Sequence, residues 1–364
     1  MRLYSKTLLN MKKYYPILLS KKGEIVALQY LTQVTKDGIC PVVEVVDDSL
    51  EKLEKKDSPK KVYKDELENF LKTHWSFFEN QIILDFSLVT DIDTKLGIIE
   101  KMIISLLKAG VNVIPALQMN SASKFGALIK SLLKKYSLKV CWRTSENSGG
   151  YDNFKIGVDK FIPYIGVDPA RIIILLDLGY AKHDRYNSLR DIANAAIKSL
   201  SQKVDKWLAV VVASSSFPEN LGEFKSRKQP YVIDRNEWKI WKSLISDKEL
   251  TAVKYGDFGT KYPFYVDANF AGTISVKYTT ESSFVVYKGE LTNEHKDGHG
   301  QYITHAAELI KSEYYSGEDF SWGDMRIKEV AEQDIKSDKR KTGSSTTWVQ
   351  ISQNHHIALL YSLL

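Results

Sequence analysis

The feature that most constrains the fold is a short apolar run that recurs along the chain and carries a charged side chain near its end. Such continuous apolar runs suit strands that are covered on both faces, as in a parallel sheet. We therefore predict that the runs are strands of one sheet with charged groups at their ends. The runs and their charged residues are Pro41–Val46 with Glu44, Ile82–Phe86 with Asp85, Val140–Thr144 with Arg143, Ile172–Gly179 with Asp177, and Ala252–Gly259 with Asp257.

Amphipathic segments separate these runs. The clearest predicted helix follows Asp91, and Gly110 stands where a left-handed residue ends a helix. Further strands at Tyr14–Leu19, Val111–Gln118 and Trp207–Ala213 bring the predicted total to eight. Repeated strand–helix units imply parallel strands, and eight of them favour closure into a (βα)8 TIM-like barrel. An open doubly wound sheet is the alternative, because periodicity does not show closure.

The pattern changes beyond residue 261. We predict an N-terminal extension at 1–13, an α/β barrel at 14–261 and a C-terminal α+β elaboration at 262–364. Ile274–Thr280 and Phe284–Lys288 alternate around a turn and indicate a hairpin. A helix near Tyr302–Tyr314 follows, and Ser344–Leu364 resembles a strand followed by a short helix.

Composition is ordinary for a soluble globular protein, with 43% hydrophobic and 26% charged residues among 364. The formal charge of +6 permits anionic partners without requiring them. Cys40 and Cys141 each adjoin an apolar run and are interpreted as buried thiols in a reducing cytosol. No apolar window reaches membrane-spanning length, so the expectation is a cytoplasmic protein without a membrane partner.

The charged strand ends are the candidate functional residues. In a barrel the carboxyl ends of the strands form one rim, and that rim holds the active site in characterised barrel enzymes. Glu44, Asp85, Asp177 and Asp257 are the candidate catalytic residues. Carboxylates there divide acid and base roles or bind a divalent metal, which is the candidate cofactor. The alternative is structural: polar layers inside the barrel, or caps for the following helices.

Several short motifs occur in a consistent order from Tyr14 to the C-terminus. Together they resemble the beta proteins known from bacteriophages and bacterial genomes. The resemblance implies a phage-associated or anti-phage defence protein. The motifs are Tyr15-Pro16-Ile17-Leu18, Lys22-Gly23-Glu24, Pro41 with Glu44, Leu84-Asp85, Tyr255-Gly256-Asp257-Phe258-Gly259, Lys277-Tyr278-Thr279, Phe320-Ser321-Trp322-Gly323-Asp324, Thr346-Thr347-Trp348 and Asn354-His355-His356.

Lys277 and Lys288 stand where arginine is expected in related sequences. Lysine keeps the charge but lacks the planar fork that grips phosphate through two hydrogen bonds. The predicted substrate-binding residues are Lys22, Arg143, Lys277, Tyr278 and His355.

Two functions follow from these observations. The first is a hydrolase that acts at the strand ends on a phosphate-containing substrate, a nucleic acid or a nucleotide. The second is a non-catalytic barrel module that recognises a phage component or a partner protein from a neighbouring gene. A strand-end rim filled by the C-terminal segment would favour the second function.

Overall fold

A computed structural model describes residues 12–54, 67–76, 80–121, 123–146, 151–225, 229–266 and 273–364. The predicted N-terminal extension at 1–13 lies almost wholly outside the described residues. Among the described parts of the chain, no helix is both long and apolar enough to cross a bilayer.

Eight parallel strands close into a barrel, so the predicted TIM-like architecture is confirmed and the open sheet is excluded. The barrel strands follow one another in chain order, and the last of them closes the circle against the first. Its strands are β1 (Tyr14–Leu19), β2 (Val42–Glu44), β3 (Gln81–Asp85), β4 (Asn112–Leu117), β5 (Val140–Thr144), β6 (Ile172–Tyr180), β7 (Ala209–Ser215) and β9 (Lys254–Asp257).

Helices lie between the strands and cover the outside of the barrel. Their apolar faces pack against the outward side chains of the strands in one large buried cluster. They are α1 (Lys22–Gln29), α2 (Gln33–Gly38), α3 (Asp47–Glu54), α4 (Leu67–His74), α5 (Leu96–Lys108), α6 (Ser123–Tyr136), α7 (Phe154–Ile165), α8 (Tyr186–Lys198) and α9 (Asn236–Ile245).

A second, smaller core fills the barrel itself. Because side chains alternate along a strand, every second residue points into it. Ile17, Val42, Ile83 and Leu175 belong to this inner cluster. Cys40 and Cys141 also lie in this inner core as free thiols, and the prediction that both are buried is confirmed.

The C-terminal part adds an antiparallel sheet beside the barrel. The predicted hairpin is confirmed as β10 (Thr273–Thr279) and β11 (Ser283–Leu291). β8 (Tyr231–Asp234), which the sequence analysis missed, pairs with β11 rather than with the barrel. The helix α10 (Gln301–Ile310) follows, and α11 (Trp322–Ala331) comes after it.

The prediction of a strand followed by a short helix at the C-terminus is wrong. Residues Ser345–Leu363 form one helix, α12, which begins at a capping box between Ser344 and Thr347. The β-branched and aromatic residues of its first turn favour a strand locally, but the reciprocal cap satisfies the helix terminus. α12 packs on α1, and the Asn354 side-chain amide donates to the Ala27 carbonyl at 3.0 Å.

Candidate functional site

Strand alternation places four of the predicted charged residues inside the barrel. Each lies two positions after an inward apolar residue, so its side chain points inward at the carboxyl end of its strand. Glu44 ends β2 and stands level with Asp85 at the end of β3. Arg143 is on β5 and Asp177 is on β6. All four are at most 4% exposed.

Arg143 is the centre of this cluster. Its Nη1 donates to Glu44 Oε1 at 2.9 Å and to Asp85 Oδ2 at 2.7 Å. On the other side, Nη2 and Nε donate to Asp177 Oδ2 at 2.7 and 3.2 Å. One guanidinium therefore holds three carboxylates from three strands, and every nitrogen of its fork is engaged with a carboxylate.

Backbone and amide groups fix the outer oxygens of two carboxylates. The amides of Ser87 and Gly179 donate to Asp85 Oδ1 and Asp177 Oδ1, each at 2.9 Å. Gln118 Nε2 lies 3.4 Å from Asp85 Oδ2. The cluster is thus pre-organised by the strand ends and by the turns that follow them.

A second cation, Lys261, extends the cluster. Its Nζ lies 3.2 Å from Glu44 Oε2 and 3.8 Å from Glu24 Oε2. Glu24, on α1, also accepts a hydrogen bond from the Leu19 amide at 2.8 Å. The ring of Phe258 lies beneath both cations, with its centroid 5.9 Å from Arg143 Cζ and 5.3 Å from Lys261 Nζ.

The low-dielectric surroundings shift the titration of these groups. Burial raises the pKa of Asp177, although Arg143 offsets part of the rise. Burial likewise raises the pKa of Glu24 against the opposing effect of Lys261. For Arg143, burial favours a lower pKa, but Asp177, Glu44 and Asp85 outweigh it and raise the pKa well above its usual value. The arginine is therefore permanently charged, while Asp177 holds a proton more readily than an exposed aspartate.

The cluster forms the floor of a cavity of about 440 Å³. Its walls combine aromatic rings, amides and hydroxyls. Pro263, Phe264 and Tyr265, which follow the last barrel strand, form one side and leave the cavity open. The other walls include Phe86, Phe125, Gln118, Asn120 and Ser145.

The three carboxylates surround a guanidinium, and they do not form an arrangement suited to a metal ion. Among the described residues there is no group of three or more His, Cys, Asp or Glu side chains disposed to hold one. The positive charge between Glu44, Asp85 and Asp177 is that of Arg143.

Asp257 does not join this cluster, contrary to the expectation from sequence. On β9 the inward positions are Gly256 and Phe258, so Asp257 points outward, toward α12. Its carboxylate accepts hydrogen bonds from Tyr14 Oη at 2.5 Å and Tyr255 Oη at 2.9 Å.

His356 and Arg235 complete the surroundings of Asp257. His356 Nε2 lies 2.8 Å from Asp257 Oδ2, and Arg235 Nη2 lies 3.6 Å from the same oxygen. Burial alone raises the pKa of Asp257, but His356, Arg235 and Tyr14 outweigh it and lower the pKa to about 2. This buried network joins the barrel to α12.

Two predicted substrate-binding lysines also lie away from the cavity floor. Lys22 is exposed and lines a different cavity of about 230 Å³ between α1 and α4. Lys277 Nζ donates to the Thr260 carbonyl at 3.1 Å and lies 4.4 Å from the centroid of the Phe217 ring. Burial lowers the pKa of Lys277 to about 8, with Glu24 opposing the shift.

Tyr278 and His355 belong to a second buried network, under α11. Tyr278 Oη donates to Asp324 Oδ1 at 2.6 Å, and His355 Nδ1 lies 2.8 Å from Asp324 Oδ2. The two rings stack with centroids 3.8 Å apart. Neither side chain lines the cavity, since both are buried where the hairpin, α11 and α12 meet.

Sequence reasoning missed Lys261, Glu24 and Gln118 as neighbours of the carboxylates. Glu24 lies within the Lys22-Gly23-Glu24 motif, and Lys261 follows Gly259 by two residues at the end of the last barrel strand. For Glu24 and Lys261, this position in or next to a motif was the sequence signal that could have identified them. Gln118 directly follows β4, so it lies at a strand end, but it was missed because the search was for charged residues.

The solved structures that align with this chain share little sequence with it. A mutant tryptophan synthase alpha-subunit from Pyrococcus furiosus aligns at 11% identity over 68% of this chain and 87% of its own, with a TM-score of 0.40. The tryptophan synthase α2β2 complex from the same organism aligns with the same identity, coverage and TM-score. A Rubisco from Pyrococcus horikoshii aligns at 12% identity over 70% of this chain and 56% of its own, with a TM-score of 0.36.

Comparison with curated proteins returned no match. The Beta protein family model, in contrast, matches residues 14–361, which is nearly the whole chain. This span includes the barrel, the hairpin and α12, and it agrees with the resemblance carried by the sequence motifs. The chain belongs to the Beta protein family.

Proposed function

We propose that this protein is a hydrolase that acts on a nucleotide or nucleic acid at the carboxyl ends of the barrel strands. The observation that carries the proposal is the convergence of Glu44, Asp85 and Asp177 on Arg143 at the floor of an open cavity. Several buried charges on the catalytic rim of a barrel cost free energy to assemble, which favours a functional role.

The three carboxylates have different surroundings and therefore different proposed roles. Asp177 is the proposed general acid, because burial raises its pKa and so favours the protonated form relative to an exposed aspartate. Asp85 is the general base, since the Gln118 amide beside it is suited to orienting a water molecule. Glu44 has one oxygen on Arg143 and the other on Lys261, so it positions both cations.

The cavity wall supports a substrate with a planar ring and a polar sugar. The half-buried rings of Phe264 and Tyr265 line the cavity, and every nucleobase has a face that stacks on an aromatic ring. Carboxylates and amides accept or donate hydrogen bonds to sugar hydroxyls.

Cations near the Pro263–Tyr265 wall suit the phosphate of such a substrate. Lys21 Nζ lies 4.8 Å from the centroid of the Tyr265 ring, and Lys261 lies beside Glu44. A phosphate on this side of the cavity avoids the carboxylates of the floor. A role in phage biology or anti-phage defence remains part of the proposal, as the family resemblance implies.

The non-catalytic alternative has weaker support. It requires a rim filled by the C-terminal segment, whereas Pro263, Phe264 and Tyr265 leave a cavity of about 440 Å³. A cavity of this size is in the range of small-molecule sites.

The test is turnover of a defined panel: NAD⁺, ATP, dATP and a single-stranded DNA oligonucleotide, with products resolved by liquid chromatography and mass spectrometry. The wild type is expected to hydrolyse at least one member. Asp85→Asn is expected to lose about 10²- to 10⁴-fold in rate, the usual contribution of a general base.

Asp205→Asn is the matched control, because Asp205 is an exposed carboxylate on the surface. It is expected to keep the wild-type rate. No product from any panel member, or a normal rate for folded Asp85→Asn, overturns the proposal.

A further inference from the structure

We infer that the bond cleaved in the cavity is the glycosidic bond of the substrate's sugar rather than a bond to phosphorus. The inference rests on the proposed function and names its reaction. It comes from comparing the charge of the cavity with the charge of the transition state. The transition state is positive in glycosidic hydrolysis and negative in phosphoryl transfer.

The floor of the cavity is acidic. Three carboxylates, Glu44, Asp85 and Asp177, face one guanidinium, and Arg143 is the only Lys, Arg or His among the described residues that line the cavity. Its Nε, Nη1 and Nη2 already donate to carboxylates within 3.2 Å. Lys261, which the cavity lining does not include, already lies 3.2 Å from Glu44 Oε2 and 3.8 Å from Glu24 Oε2, so each described cation at the floor already faces carboxylates.

Phosphoryl transfer builds negative charge on the equatorial oxygens, and enzymes stabilise that charge with metal ions, arginines and lysines. At this floor the same oxygens would meet carboxylates. The carboxylates are arranged around Arg143, and no described set of side chains is disposed to hold a metal ion there. The electrostatics therefore oppose an anionic transition state.

Hydrolysis of a glycosidic bond has the opposite requirement. Its transition state resembles an oxocarbenium ion, with positive charge on the anomeric carbon and the ring oxygen. Buried carboxylates stabilise such charge strongly, because the surroundings screen them poorly. A pair of carboxyl groups, one protonated and one ionised, is also the usual catalytic apparatus for this reaction.

The proposed step balances with water as the only co-reactant. The bond between the anomeric carbon and the leaving nitrogen or oxygen breaks while Asp177 donates its proton to the leaving group. A new bond forms between the anomeric carbon and a water oxygen, and Asp85 takes the proton of that water. Transfer of a proton from Asp85 to Asp177 through solvent restores the starting state.

The test is hydrolysis of the same panel in H₂¹⁸O, with mass analysis of both product fragments. The inference predicts release of a free base or nicotinamide and one ¹⁸O atom on the sugar at the anomeric position, with none in phosphate. In Asp85→Asn, the rate is expected to fall by about 10²-fold or more and the ¹⁸O incorporation to disappear with it. In Asp205→Asn, the incorporation is expected to persist.

Two other outcomes separate this inference from the function on which it rests. If ¹⁸O enters phosphate and this incorporation depends on Asp85, the hydrolase stands and the glycosidic assignment is wrong. If no panel member is turned over, both are wrong. A second measurement uses a protonated pyrrolidine nucleoside analogue and orthovanadate as inhibitors. Stronger inhibition by orthovanadate contradicts the inference, and stronger inhibition by the cationic analogue supports it.

Discussion

Replacing Arg143 with methionine removes the guanidinium that contacts all three carboxylates of the cavity floor. Methionine is unbranched and apolar, so it fills much of the same space without the charge. The three contacts have N···O distances of 2.7–2.9 Å. Opposite charges about 4 Å apart at an effective dielectric constant of about 20 attract by about 4 kcal/mol, or about 12 kcal/mol gross for three contacts.

Desolvation of the buried groups cancels most of that gross value. The net cost of removing one partner from a buried ion pair is about 3–5 kcal/mol, because the other partner remains as an uncompensated charge. We therefore expect Arg143→Met to lower the free energy of unfolding by about 3–5 kcal/mol at neutral pH, measured by urea denaturation followed by circular dichroism.

The pH dependence identifies the cause of the loss. In the variant, Asp177 loses the Arg143 charge that opposes the rise of its pKa on burial, so the folded protein binds a proton that the unfolded chain does not bind. Stability relative to the wild type then rises as pH falls, so the deficit is expected to shrink from about pH 8 to about pH 5.

Two variants control this experiment. Arg143→Lys keeps the charge but loses the fork, so it is expected to fall between the wild type and Arg143→Met. Arg190→Met removes an exposed arginine that pairs with neighbouring Asp191, and it is expected to leave the denaturation midpoint unchanged. A deficit for Arg143→Met below about 1 kcal/mol, or one that grows as pH falls, would refute the reasoning.

Three further predictions concern the buried networks. Asp257→Asn is expected to lower the free energy of unfolding by about 2 kcal/mol at neutral pH, because the pKa of Asp257 is lowered from 3.8 to about 2 in the folded protein. This stabilisation is present above about pH 4 and disappears as pH falls toward 2, so urea denaturation at both ends of that range tests it. Gly323→Ala is expected to lower the free energy of unfolding by about 1–3 kcal/mol, because the added Cβ would lie 2.5 Å from the Ile351 carbonyl oxygen. Gly97→Ala is the control: its Cβ would meet no atom within 4 Å, and this variant is expected to raise the thermal midpoint. Tyr278→Phe is expected to cost about 1.5–3 kcal/mol by removing the bond to a carboxylate, and an unchanged midpoint would contradict that account.

Much of the barrel and half of its candidate site were predictable from sequence, because local periodicity specifies both. Glu44, Asp85, Arg143 and Asp177 each end a run whose apolar residues must face a core. In a closed parallel barrel, that spacing brings the inward residues of neighbouring strands to the same level.

Asp257 shows where this reasoning fails. β9 has only four residues, and Gly256 gives no apolar side chain to mark the inward face. A shift of one position exchanges the two faces of a strand, so Asp257 was assigned to the inner face although it lies on the outer one. The correct assignment depends on the register with β1 and β7, which involves residues far away in the chain.

The C-terminal part was less predictable because its partners are distant in sequence. β8 forms a strand only by pairing with β11, and α12 is buried on nearly every side in its middle turns. His355 and Tyr278 looked like binding residues because their shared partner, Asp324, lies 31 and 46 positions away. Tertiary contacts of this kind override local propensity.

The pH dependence of turnover in the wild type and in Asp177→Asn tests the central claim most directly, that the buried carboxylates of the cavity floor perform the chemistry. Asp177 acts in its protonated form, so the wild-type rate is expected to fall as pH rises through the raised pKa of this group. In Asp177→Asn that alkaline limb is expected to vanish and the maximal rate to fall by about 10²-fold or more, while the denaturation midpoint shows a folded protein. A folded Asp177→Asn variant with the wild-type rate and the wild-type pH profile would contradict the account.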